Sequence, residues 1–104
     1  MINMKEWAHN VMGNPGRIAI PIMTHPGIEL CGYTVKQAVT DGQKHAEAIQ
    51  KLNEIYPAAA CTVIMDLTVE AEAFGAKVAF EENEVPNVIG RLVSDRTSIE
   101  ALEI

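Results

Sequence analysis

Ala59-Ala60-Cys61-Thr62-Val63-Ile64-Met65, with Asp66 behind it, is the stretch on which the reading of this chain turns. It is short, apolar and β-branched, which is the composition of a strand covered on both faces. Upstream, Arg17-Ile18-Ala19-Ile20-Pro21-Ile22-Met23 has the same continuous apolar character. Pro21 has no N–H to give a ladder, so this first strand belongs at an edge or a bulge. Between the two lies a helix over 42–56. Asp41 caps it, and Ala48, Ile49, Leu52, Ile55 and Tyr56 form an apolar face at three- and four-residue spacings. Pro57 stops it. Strand, crossover helix and second strand make one βαβ unit, with parallel strands and a right-handed connection expected.

Outward from that unit the pattern continues. Residues 3–12 predict a short amphipathic helix, with Asn3 as cap, Glu6 in the capping-box position, and Trp7 and Val11 on one face. Gly13-Asn14-Pro15-Gly16 ends it. Thr24-His25-Pro26-Gly27 reads as a loop, and Thr34 as the cap of a helical turn over 35–39. Glu47 and Lys51 are spaced for an i, i+4 ion pair. Residues 68–74 predict one or two helical turns closed by Gly75. Residues 77–80 form a short strand, 81–83 turn the chain, and 85–89 extend around Pro86. Residues 94–104 open another helix, capped by Thr97 or Ser98, with Ile99 and Leu102 three apart.

The expected fold class is therefore α/β. Residues 1–104 form a single incomplete domain, a partial (β/α)8 TIM barrel holding the first βαβ units, with parallel strands and a short extra strand. At 104 residues the chain is too short for a complete barrel, which takes about 250. One βαβ unit leaves sheet edges open, so self-association into a homo-oligomer is expected.

Composition narrows the function. The apolar fraction, 48%, is too high for a disordered chain. No apolar run is long enough to span a bilayer, and no secretory pattern opens the sequence, so the expected compartment is the cytoplasm. Residues 1–65 carry five bases and five acids, whereas 66–104 carry nine acids against Lys77, Arg91 and Arg96. With no basic footprint, nucleic acid is not an expected partner. Cys31 and Cys61 are thirty residues apart, which is neither a CxxC pair nor a disulfide framework.

Three residues are candidates for chemistry. Asp66 follows the C-terminal end of a buried-type strand, where a partly desolvated carboxylate serves as acid, base or acceptor. The alternative is a cap or turn residue for the helix behind it. His25, after the first strand, can bind a substrate or titrate near neutrality, or it is simply a loop histidine. Glu70, four after Asp66, points to the same side. His9 and His45 read as surface residues. No GxGxxG, P-loop, GxSxG or HExxH motif is present.

Residues 63–78 (Val-Ile-Met-Asp-Leu-Thr-Val-Glu-Ala-Glu-Ala-Phe-Gly-Ala-Lys-Val) resemble the uroporphyrinogen decarboxylase superfamily, in which an apolar strand ends in aspartate ahead of a short helix, a glycine and a second strand. The Gly-Asn-Pro-Gly turn before Arg17 to Ile22, Val85-Pro86 and the helix start at Ser98 follow the same order. The resemblance implies a (β/α)8 barrel. In its decarboxylases, which use no cofactor, an aspartate matching Asp66 holds the pyrrole nitrogens of a tetrapyrrole. Its other branch moves methyl groups between a corrinoid and a thiol such as coenzyme M, on zinc. The decarboxylases carry an arginine-rich loop after the first strand. Here that loop reads Thr24-His25-Pro26-Gly27-Ile28-Glu29, with no arginine to hold carboxylates. The methyltransferase branch fits better.

In that branch a His-x-Cys pair and a later Cys bind zinc, in a part of the barrel this chain does not reach. The expectation is thus an N-terminal fragment of a methyltransferase, inactive alone. Asp66 is its catalytic residue, with His25 and Glu70 binding substrate and no metal ligand or cofactor of its own. Zinc, a corrinoid and a corrinoid protein partner are implied for the longer form. The alternatives are a decarboxylase fragment and a non-enzymatic, self-associating binding module.

Overall fold

The computed structural model describes residues 1–102. Its elements are α1 (Met4–Gly13), α2 (His25–Cys31), α3 (Val35–Thr40), α4 (Gly42–Ile55), α5 (Val69–Ala73), β1 (Lys77–Ala79), β2 (Asn87–Ile89) and α6 (Arg96–Glu100).

α1, α3, α4 and α6 begin where short polar side chains take orphan N–H groups. Asn3 accepts from Lys5 and Glu6 at 3.1 and 3.3 Å. Thr34 and Gln37 form a reciprocal capping box at α3. Asp41 accepts from Gln43 and Lys44 and starts α4, which ends before Pro57. Gly75, at φ +95°, closes the turn after α5 in a conformation that favours glycine.

Ile28, Val35, Ala38, Ala48 and Leu52 are the buried apolar residues, so the core sits where α2, α3 and α4 meet. Cys31, Tyr33 and Ile64 pack against it. Gly27 sets the approach of α2 to α4. A Cβ there would lie 2.2 Å from the Ala48 carbonyl oxygen, so no larger residue fits.

This is not the expected α/β fold. The only ladder among the described residues is the antiparallel pair β1–β2, in the register Lys77↔Ile89, Val78↔Val88, Ala79↔Asn87. The stretches 17–23 and 59–65 lie outside any ladder, so there is no parallel βαβ unit and no partial barrel. Side chains take the backbone groups that a ladder would use. The Thr62 carbonyl accepts from the Thr24 hydroxyl at 3.3 Å, the Ile64 N–H donates to His45 Nε2 at 3.0 Å, and Pro21 has no donor.

Four local expectations are also corrected. The loop at 24–27 is the first turn of α2, where a proline at the helix start is tolerated. Glu47 does not pair with Lys51: Tyr33 and Gln43 donate to Glu47, and Lys51 reaches Glu54. Asp95, not Thr97 or Ser98, caps α6, with Ser98 completing the box. The helix over 94–104 is confined to α6 within the described residues, and its last two positions lie outside them. Among the described residues no helix is long and apolar enough to cross a membrane.

Candidate functional site

Residues 59–67 have no ladder but keep the periodicity of an extended chain. Ala60, Thr62, Ile64 and Asp66 are half-buried, while Cys61, Val63, Met65 and Leu67 are exposed. Ile64 anchors the inner side on the helical core.

Asp66 ends this segment. Its Oδ1 accepts from the Thr68 N–H at 2.9 Å and from the Thr68 hydroxyl at 2.7 Å. That is an Asx turn, and it launches α5. Thr68 is buried, so the turn fixes the carboxylate in place. The second oxygen, Oδ2, makes no hydrogen bond among the described residues and remains an acceptor.

His25 is exposed at the start of α2. It borders two clefts. One, of about 120 Å³, runs between residues 22–25 and 63–65. The other, of about 170 Å³, is lined by His25, Ile28, Glu29, Tyr33, Val35 and Asn83. Glu70 is exposed in the first turn of α5. Neither Asp66 nor Glu70 lines either His25 cleft, although Met65, beside Asp66, lines the first. The structure thus brings His25 to the segment that ends in Asp66 without joining the three side chains in one pocket.

Two polar contacts were not anticipated in the sequence. His45, read as a surface residue, holds the Ile64 N–H through Nε2. Its signal was spacing, three before Ala48 and seven before Leu52, on the buried face of α4. The second is Tyr33, whose hydroxyl donates to Glu47 while the Lys44 ammonium sits 5.5 Å from its ring centre. That hydrogen bond is the main reason the Glu47 carboxyl lies below its ordinary range, with Gln43 adding to it. The same bond pushes the Tyr33 phenol up. Only the pairing of distant residues reveals this contact, and no local pattern encodes it.

A family model, uroporphyrinogen decarboxylase (URO-D), matches residues 12–104. The chain belongs to the uroporphyrinogen decarboxylase family. The match takes in α2 to α6 and all three candidate residues. No curated protein and no solved structure matches the chain significantly.

The zinc implied by the resemblance to the methyl-transferring branch would need three or four grouped His, Cys or carboxylate ligands. Cys31 is half-buried against the core and Cys61 is exposed elsewhere. Among the described residues no three His, Cys, Asp or Glu side chains are grouped to hold a metal. These residues do not fit zinc, and no step is assigned to one.

Proposed function

We propose that the chain serves the methyl-transferring branch of the family, in which a methyl group passes between a corrinoid and a thiol. Asp66 orients the substrate or takes a proton from it through its free oxygen. His25 contacts the substrate from the cleft it borders, and Glu70 from the first turn of α5.

One observation carries this reading. The cleft beside the Asp66 segment is lined by Ile22, Met23, Val63, Ile64 and Met65, with Thr24 and His25 as its polar groups and no arginine or lysine. A polycarboxylate needs fixed cations to replace its hydration. This cleft offers none, which counts against a substrate carrying many carboxylates, and its apolar walls suit the methyl and methylene carbons of the transferred group and its acceptor. A second reading, decarboxylation of a tetrapyrrole, draws support from Asp66 Oδ2, an unused acceptor for a pyrrole N–H.

Binding titrations separate the two. Methylcobalamin, 2-mercaptoethanesulfonate and uroporphyrin are titrated against the whole chain. The expected result is binding of the first two, weakened about tenfold or more by Asp66→Asn, and no saturable binding of uroporphyrin. Uroporphyrin binding more tightly than methylcobalamin would reverse the order of the readings.

A further inference from the structure

Two clefts in the last third of the chain lie apart from the Asp66 segment. One, of about 400 Å³, opens at the end of the hairpin, where Lys77 begins β1 and Gly90 and Arg91 follow β2. The other, of about 450 Å³, lies between α5 and α6. Both are lined by Gly75 and Leu92, so they adjoin.

The first cleft is cationic in an acidic stretch. Residues 66–104 carry nine acids and three bases. Arg96 spends its guanidinium on Glu100 at 2.9 Å. The other two bases, Lys77 and Arg91, both line this cleft. Neither makes an ion pair among the described residues, and no carboxylate lines either cleft. Two cations on one cleft repel each other, and a bound anion relieves that repulsion. The second cleft is apolar. Phe74 and Leu92, 39% and 40% exposed, line it with Leu102. Its one polar side chain is Ser98, whose hydroxyl is taken up in the α6 cap by the Asp95 carbonyl and the N–H groups of Ser94 and Asp95.

We propose that the joined clefts bind a soluble phosphate monoester with an apolar body. Its phosphoryl group rests on Lys77 and Arg91, and its body lies against Phe74 and Leu92. Charge selects the head group. A phosphate monoester carries nearly two negative charges near neutral pH, matching the two cations, and its oxygens suit the guanidinium fork. A carboxylate carries one. The site shares no residue with the cleft beside Asp66, so it does not rest on the methyl-transfer reading.

Isothermal titration of the whole chain with 1-naphthyl phosphate, 1-naphthoate and inorganic phosphate tests it. The expected result is saturable binding of 1-naphthyl phosphate, at least about tenfold tighter than either of the others. The double variant Lys77→Gln, Arg91→Gln should weaken it at least about tenfold. Both side chains are exposed, so far-UV circular dichroism should not change. Phe74→Ala should remove most of the preference over inorganic phosphate. Asp66→Asn should leave this binding unchanged, and the double variant should leave methylcobalamin binding unchanged, so the two sites fail separately. Absence of saturable binding overturns the inference. So does binding that the double variant retains, or 1-naphthoate binding as tightly as 1-naphthyl phosphate. Co-sedimentation with phosphatidate vesicles that the double variant abolishes would overturn the soluble ligand in favour of a lipid headgroup.

Discussion

Asp66 divides its two oxygens between structure and availability. Oδ1 builds the turn into α5 and Oδ2 is left over. Replacing it with alanine removes the turn and should cost about 1 kcal/mol in urea denaturation. Asparagine keeps an acceptor at Oδ1 and should cost less, so equal losses would count against the turn as the reason. The sequence reading left Asp66 open between site and turn because both use the same residue type at the same place. The turn forms, and the remaining oxygen keeps the site reading available. Tyr33 and Glu47 predict a pH window. Glu47 is held below its ordinary 4.5, so its contribution to stability is present above that value and is lost as pH falls through the folded pKa. Tyr33 is raised above its ordinary 10.0, so its contribution is present below that value and is lost as pH rises through the folded pKa. The gap in Tm between wild type and Tyr33→Phe should hold steady from about pH 5 to 9 and close outside it. A gap that does not change with pH would mean that the hydroxyl contributes through something other than its bond to the Glu47 carboxylate.

Among the elements, what was legible depended on where the information lies. Caps are local, so Asn3, Thr34 and Asp41 could be read from a few residues, and α1, α3 and α4 follow from them. Strands are not local: an apolar run becomes one only when a neighbour supplies a ladder. For 59–65 the neighbours supplied are the Thr24 and His45 side chains, and 17–23 has no ladder partner among the described residues, so both runs stay single. The missed helix α2 has the opposite cause. Pro26 and Gly27 look like a loop, but proline is tolerated in a first turn and glycine is demanded by Ala48 across the contact. Gly27→Ala is expected to push α2 away from α4, costing about 1–3 kcal/mol because the clash is with backbone. The measurement is urea denaturation with near-UV circular dichroism to follow Tyr33. Wild-type stability in that variant would show that the two helices are not held at this distance.

For the whole molecule, the buried apolar side chains are confined to the place where α2, α3 and α4 meet. Five buried apolar side chains hold three helices together, while α1, α5, α6, β1 and β2 contribute no buried residue. A core of that size leaves little margin against the entropy of ordering the chain. The prediction at this scale is thermodynamic. Truncating a residue of that core, Leu52→Ala, should lower stability by about 2–5 kcal/mol, whereas truncating an exposed leucine, Leu67→Ala, should change it by no more than about 0.5 kcal/mol. Urea denaturation of both variants reads the contrast. Equal losses from the two would mean that the three-helix core does not hold the fold by itself and that the extended segment shares the load.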